Sequence, residues 1–228
     1  MQFVILFIVL ILLILGPQWW VRSVLARHSR EDGRFPGTGG ELASHLLGRL
    51  SLDQVGVEAA AAGQGDHYDP VTRCVRLTPD KLDGRTLTAV VTAAHEVGHA
   101  IQHALGYGPF RWRMRLVKIA LVTERLGSFL LFAVPVLTLI TKAPAAGALM
   151  LLAAVATLGV GLLVQLVTLP VEWDASFGRA MPLLESGYLD KAQLPAARTI
   201  LRACSLTYLA ASLAGLLNFW RWMRFLRH

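Results

Sequence analysis

The chain begins with an uninterrupted apolar run over residues 3–15 that contains only Val, Ile, Leu and Phe. A tryptophan pair, Trp19 and Trp20, follows it. Such a run with tryptophans at its end is typical of a membrane helix with an aromatic belt. No Lys or Arg precedes the run and no A-x-A pattern follows it, so we expect a retained membrane anchor over 1–20 and not a cleaved signal peptide.

Two further apolar runs, 126–140 and 145–169, are joined by a tight connection and predict a transmembrane hairpin over 126–171. A last apolar run, 205–219, is shorter than the roughly 20 residues that a spanning helix needs. An interfacial, re-entrant or protein-buried helix therefore competes with a fourth span there. The sequence predicts three or four transmembrane helices.

Residues 21–125 have the mixed composition of a water-facing domain. Short strands are predicted over 51–57 and 74–77, separated by a loop over 63–70 that is marked by Gly, Asp and Pro. The spacing of apolar positions predicts a helix from 86 to about 105. An amphipathic helical region is predicted over 183–202, with an interruption near Gly187.

The composition is 54% hydrophobic and 16% charged, whereas a soluble domain has roughly 25% charged residues. The net charge of +7 by itself fits nucleic acid or an anionic membrane surface. The basic residues, however, lie next to the hydrophobic runs, where cations face cytoplasmic headgroups. We expect membrane lipid as a partner, no nucleic acid, and a cytoplasmic domain. These residues are Arg22, Arg27, Arg30, Arg111, Arg113, Arg115, Lys118, Arg221, Arg224 and Arg227.

The segment HEVGH, residues 95–99, carries the pattern H-E-x-x-H on the predicted helix. Histidines four residues apart share one face of a helix, so His95 and His99 can both reach one zinc ion. Glu96 can reach a metal-bound water without being a ligand, and can accept its proton as general base. The alternative is a helix on which these residues are ordinary core or surface positions.

A catalytic zinc needs a third protein ligand, and His103 is the nearest candidate. His95 and His103 are about 12 Å apart along a straight helix, too far to close on one ion together with His99. The longer pattern H-E-x-x-H-x-x-G-x-x-H is also absent, because Gln102 and Leu105 hold its glycine and third histidine positions. We therefore expect His103 to be a polar residue at the helix end.

Glu172, which follows the apolar run 145–169, is the better candidate. An acidic residue there is expected to be functional or to lie among headgroups. Two histidines and one glutamate leave the fourth position of a tetrahedral zinc for water, as catalysis requires. From residue types alone, Asp174 or Glu124 can serve in its place.

The two cysteines, Cys74 and Cys204, lack metal-binding spacing, and we expect inert buried thiols.

Several segments together resemble the YugP-like neutral zinc metallopeptidases, a family of small bacterial membrane proteins with an HExxH zincin site. The matching segments are HEVGHAIQ (95–102), DHYDP (66–70), VRL (75–77) and QLVTLPVE (165–172), so the resemblance covers nearly the whole chain. It implies that Glu172 is the third ligand, that one zinc ion is bound per chain, and that the substrates are proteins or peptides at the bacterial inner membrane.

The resemblance leaves the supporting residues open. In zincins with a glutamate ligand, an aspartate four residues later often hydrogen-bonds the first histidine, but here that position is Ser176, so either Ser176 or Asp174 orients His95. The segment 66–69 fits a substrate clamp or transition-state donor, and equally a loop with turn-forming aspartates. The strand that follows, 73–77, fits either strand addition by an extended substrate or an ordinary internal strand.

These features predict an α+β fold dominated by helices, in which a zincin-like core with a short sheet is joined to three or four transmembrane helices. The predicted segments are an anchor (1–20), the zincin-like domain (21–125), the hairpin (126–171), a third-ligand segment with amphipathic helices (172–203) and an apolar helix with a basic tail (204–228).

The predicted function is hydrolysis of peptide bonds by zinc-activated water in an integral membrane protein. A non-catalytic membrane scaffold with a vestigial or structural metal site is the alternative, and a zinc hydrolase acting on a non-peptide ester or amide is a third reading. The intact Glu96 disfavours the scaffold. The sequence does not indicate an oligomeric state.

Overall fold

The computed structural model describes residues 2–31, 35–123 and 145–207. The predicted run 126–140 and the alternative ligand Glu124 lie outside these residues, as does most of the run 205–219. The chain divides into two compact units, the first formed by Met1–Gly106 with Glu172–His228 and the second by Tyr107–Val171.

The elements follow one another from α1 to α8 with three short strands among them. The first are α1 (Gln2–Arg27), α2 (Gly39–Arg49), β1 (Gly56–Ala59), β2 (His67–Asp69), β3 (Cys74–Leu77), α3 (Pro79–Leu82) and α4 (Leu87–Ala104). They are followed by α5 (108–123), α6 (Ala145–Trp173), a first π-helical segment (Asp174–Ala180), α7 (Met181–Leu183), a second π-helical segment (Leu184–Tyr188) and α8 (194–207). A mostly helical chain with a short sheet upstream of the motif is confirmed.

The prediction that three or four transmembrane helices are integrated into the fold is wrong. In the part of the chain that the structure describes, no helix combines the length and apolarity needed to cross a membrane. An apolar run marks a span only when one helix carries it over about 20 residues. The run 3–15 is shorter, and its helix α1 continues through Pro17 to Arg22 and Arg27. The predicted integral location in the bacterial inner membrane is wrong for the same reason.

The three strands form one sheet in the order β1-β3-β2. β1 is parallel to β3, and β2 is antiparallel to it, with Tyr68 opposite Val75. The predicted strand 74–77 is confirmed, whereas the predicted strand 51–57 is wrong over most of its length. A turn in which Val55 N donates to Leu52 O (2.9 Å) occupies that segment instead, and the strand begins only at Gly56.

Helix α4 forms the centre of the first unit and confirms the predicted helix. It begins after Thr86, whose hydroxyl accepts a hydrogen bond from Ala89 N (3.1 Å) and so satisfies a free N–H of the first turn. Every residue from 88 to 100 is buried, and α2 and the first π-helical segment pack against the helix. A helix buried on all sides is expected to be apolar, so the polar groups that α4 carries stand out.

Gly98, between the two motif histidines, allows α4 and the first π-helical segment to approach closely. A Cβ atom at this position would lie 2.5 Å from the carbonyl oxygen of Ala175. Only glycine leaves room for that backbone contact. The contact brings the segment that follows Glu172 against the face of α4 that carries the histidines.

Farther along, Gly187 has φ of +121° and interrupts the helical path within Leu184–Tyr188, as predicted.

In the second unit, α5 presents an exposed Trp112, and the Arg115 guanidinium lies 5.5 Å from the centre of its ring. That distance is within the range of a cation–π contact.

Candidate metal centre

Three ligand-type side chains converge in the core of the first unit. His95 Nε2 and His99 Nε2, one turn apart on α4, each lie 3.3 Å from Glu172 Oε2. The three side chains are almost completely buried, and their ligand atoms lie within 4.8 Å of one another. Across the described ranges, no other three His, Cys, Asp or Glu side chains form such a group.

The Glu172 carboxyl is completely buried beside the two imidazoles. Burial by itself raises the pKa of this carboxyl, but the neighbouring imidazoles of His99 and His95 outweigh it and hold the pKa well below its usual range. The centre therefore presents a negative charge together with two imidazoles.

His95 is oriented by Ser176. The Ser176 hydroxyl oxygen lies 2.9 Å from His95 Nδ1, 3.2 Å from Leu201 O and 2.8 Å from the Ser205 hydroxyl. When the Ser176 hydroxyl donates to the Leu201 carbonyl, its oxygen accepts from His95 Nδ1–H. His95 Nε2 then carries the lone pair that faces Glu172.

His99 is oriented by Gln102, three residues later on the same helix. His99 Nδ1 lies 3.0 Å from Gln102 Oε1, and Gln102 Nε2 donates to Asp174 Oδ2 at 2.8 Å. Arg179 Nε donates to the same Asp174 oxygen at 3.2 Å. Because an amide oxygen only accepts, His99 Nδ1 carries the proton and Nε2 the lone pair.

The donor set fits zinc. Two imidazole nitrogens and one carboxylate oxygen are a ligand set of catalytic zinc sites, which keep the fourth position open. Bonds of about 2.0–2.1 Å at tetrahedral angles place ligand atoms about 3.3–3.4 Å apart, and both histidine-to-glutamate distances are 3.3 Å. Two imidazole nitrogens and one carboxylate oxygen that face one another are arranged to hold a cation between them.

Glu96 follows His95 on α4 and is 5% exposed. A carboxyl in so apolar a helix is costly to bury unless other interactions compensate. The neighbouring thiol of Cys204 has its pKa raised to about 12, mainly by burial and further by the negative charge of Glu96. Cys74, also buried and free, has its pKa raised to about 11, mainly by burial. Both cysteines are thus buried and free, as predicted.

The other candidate residues lie outside the cluster. His103 Nδ1 pairs with the Tyr68 hydroxyl at 2.8 Å, which ties the end of α4 to β2. Burial lowers the pKa of His103, and the positive charge of Arg73 lowers it further. Asp174 is not a ligand but the partner of Gln102.

The aspartates of segment 66–69 have structural partners. Asp66 accepts from Thr78 N (2.8 Å) and pairs with Lys81 Nζ (2.9 Å). Asp69 accepts from Val71 N (2.8 Å) and from Arg76 Nη1 (2.7 Å). These contacts favour turn-forming aspartates over a substrate clamp. The loop prediction itself is wrong for 67–69, because buried Tyr68 pairs with β3.

Sequence reasoning did not identify Gln102 or Ser205 as part of the site. The available signal for Gln102 was its position three residues after His99, which places the two side chains on one helix face. Ser205 carries no such signal, because its hydroxyl meets Ser176 only through tertiary packing, 29 residues apart in sequence.

Comparisons with known proteins identify the family of the chain. A family model described as "Putative neutral zinc metallopeptidase" matches residues 3–227. The chain is 32% identical over 229 residues to the "Putative membrane protease YugP" of Bacillus subtilis (strain 168), covering 96% of this chain and 95% of that protein. No solved structure matches the chain. The extent of both sequence matches shows that the chain belongs to this neutral zinc metallopeptidase family.

Proposed function

We propose that this protein is a zinc-dependent peptidase that holds one zinc ion per chain through His95, His99 and Glu172 and uses Glu96 as general base. The observation that carries the proposal is the convergence of the three ligand atoms, with both histidine nitrogens 3.3 Å from the Glu172 oxygen. The family description supports zinc and peptide hydrolysis in general.

The side chains have separable roles in this proposal. His95 and His99 present Nε2 lone pairs, because their Nδ1 protons are held by Ser176 and Gln102. Glu172 adds one negative charge, which offsets part of the charge of a divalent ion. Bound zinc supplies Lewis acidity, which lowers the pKa of a water and polarises a carbonyl.

Glu96 is the general base in the proposal. It follows His95 on α4 but is not one of the three ligands, so binding of the metal does not occupy the carboxylate that accepts the proton. In peptide hydrolysis the carboxylate takes a proton from the attacking water and returns it to the nitrogen of the leaving amine. One buried carboxyl thus serves both proton transfers.

A non-catalytic scaffold would need the ligand cluster but not Glu96. The scaffold assigns no role to the Glu96 carboxyl, which lies buried next to His95. The peptidase reading gives that carboxyl its role. Proteins or peptides are the proposed substrates, in line with the family description.

The metal site is tested by the zinc content of the purified protein. We expect one zinc per chain in the wild type, a sharp loss in His95→Ala and Glu172→Ala, and retention in Asp174→Ala at saturating zinc. Each variant is checked for folding by circular dichroism. Zinc retained in folded Glu172→Ala would contradict the assigned third ligand.

The base is tested with Glu96→Gln, which keeps the size of the side chain and removes the proton acceptor. We expect full zinc content and a loss of at least about 100-fold in turnover, measured by mass spectrometry on a library of unstructured peptides. The scaffold becomes the better reading if zinc-loaded wild type cleaves no peptide, or if Glu96→Gln and wild type cleave equally.

A further inference from the structure

We infer that Gln102 is a positioning residue for His99, and that Asp174 and Arg179 fix the orientation of its amide. The inference rests on the proposed zinc site and adds a chain of residues that determines which nitrogen of His99 faces the ion. It assigns to the first π-helical segment, Asp174–Ala180, the orientation of both histidines.

The direction of each hydrogen bond follows from Asp174, which ends the series of hydrogen bonds that starts at His99. The Asp174 carboxylate accepts only, so the group of Gln102 that lies 2.8 Å away is the NH₂. The amide oxygen is therefore on the opposite side, 3.0 Å from His99 Nδ1. That nitrogen must donate, and Nε2 must present its lone pair to the site. A reversed amide would oppose His99 Nδ1–H with a donor.

Asp174 is itself held in place. Arg179 Nε donates to the same oxygen, Oδ2, that accepts from Gln102. The two residues are five positions apart, which is the hydrogen-bonding interval of a π-helix, and the segment has this geometry from 174 to 180. In this chain the π-helical path therefore places the arginine beside the aspartate.

The same segment also serves the other histidine, since the Ser176 hydroxyl oxygen lies at hydrogen-bonding distance, 2.9 Å, from His95 Nδ1. One stretch of three residues, 174–176, thus reaches both imidazoles, directly at His95 and through Gln102 at His99. Gln102 and Ser176 are both 0% exposed, so water does not compete for either hydrogen bond. Partners of this kind typically change metal affinity by 10–100-fold when removed.

The test measures the zinc dissociation constant by competition with a fluorescent zinc chelator. Gln102→Leu, which retains bulk and removes both hydrogen bonds, is expected to raise that constant about 10–100-fold. The matched control is Gln193→Leu, because Gln193 is also buried and accepts from Asp190 N (2.9 Å) outside the metal site. The control is expected to stay within about twofold of the wild type.

A rescue separates positioning from a general structural role. Gln102→Glu alone places the new carboxylate against that of Asp174, and this variant is expected to bind zinc weakly. Adding Asp174→Asn removes the second carboxylate, because the asparagine NH₂ then takes the position of Oδ2 and donates to the introduced carboxylate, which accepts from His99. The partly exposed Arg179 side chain, which shares that position in the wild type, can turn to solvent. We expect the double variant to bind within about threefold of the wild type, and its cobalt(II) form to regain the wild-type absorption spectrum.

The outcomes distinguish this inference from the function on which it rests. A wild type that binds no zinc would overturn the zinc site itself. Wild-type binding together with unchanged affinity in Gln102→Leu would overturn only the positioning role. If Gln102→Leu fails to fold, the comparison of Gln102→Glu with the double variant decides, and equal affinity of those two would also overturn the inference.

Discussion

The hydroxyl oxygen of Ser176 lies 2.9 Å from Nδ1 of His95, in a pocket where both side chains are almost fully buried. A neutral hydroxyl therefore does at this histidine what a carboxylate does in many metal sites. Since the Glu172 carboxylate is also near, a serine orients the imidazole without adding a second negative charge to the core. The Ser205 hydroxyl, 2.8 Å away, holds the serine in place.

Ser176→Ala is expected to weaken zinc binding about tenfold, because His95 then loses the acceptor that fixes its Nδ1 proton. The zinc dissociation constant is measured by chelator competition. Ser186→Ala is the matched control, since its exposed hydroxyl donates to Leu183 O (2.7 Å) in the second π-helical segment. Equal zinc affinity in both variants would contradict the role of Ser176.

Some parts of this molecule could be predicted from local sequence and others could not. The helix that carries His95 and His99 depends on spacing within one element, and it lies where predicted. Glu172 lies about 75 residues after these histidines, so local spacing could not place it against the helix. Only the family resemblance implied its position. The structure brings these three residues together.

The errors have physical causes as well. Strand β2 is only three residues long and contains two polar residues, so its partner β3 and not its own pattern makes it a strand. The bond from Gln102 to Asp174 joins residues 72 positions apart and leaves no periodic signal. The transmembrane prediction took apolar runs as spans, and no helix of the described ranges has the required length and apolarity.

Gly98→Ala is expected to destabilise the protein by about 1–3 kcal/mol and to weaken zinc binding. The new Cβ would lie 2.5 Å from Ala175 O, so α4 and the segment after Glu172 must move apart. The free energy of unfolding in urea and the zinc dissociation constant are the two measurements.

Gly48→Ala provides the comparison for this glycine. Gly48 lies inside α2, and a Cβ there meets nothing within 4 Å. Alanine in an open helical position is expected to stabilise by about 0.5–1 kcal/mol. If Gly98→Ala behaves like Gly48→Ala, the close approach is not required.

Asp69→Asn is expected to destabilise the protein by about 1–2 kcal/mol at pH 7, because Asp69 accepts a charge-assisted hydrogen bond from Arg76. Burial raises the pKa of this carboxyl, but the hydrogen bonds from Arg76 and Thr72 outweigh it and hold the pKa well below its usual range. The wild-type advantage is therefore complete above the unfolded pKa of about 3.9 and is lost as the pH falls below it.

This dependence is measured by urea unfolding of wild type and Asp69→Asn at pH 7, 5 and 3. The difference between them should be largest at pH 7, nearly the same at pH 5 and smaller at pH 3. Asp53→Asn, an exposed substitution that also removes one charge, should show little difference at any of these pH values. A difference for Asp69→Asn that grows toward acid would contradict the assigned sign.

Removal of zinc is expected to lower the stability of the wild type. A ligand that binds only the folded state stabilises it by about 2.7 kcal/mol when its free concentration is 100 times the dissociation constant. Addition of a strong chelator should therefore reduce the melting temperature of wild type and of Glu96→Gln equally, because Glu96 is not a ligand in the proposed site. His95→Ala should show no further decrease, since its site is already broken. If the chelator shift were lost in Glu96→Gln but kept in His95→Ala, the roles assigned to these two neighbours on α4 would have to be exchanged.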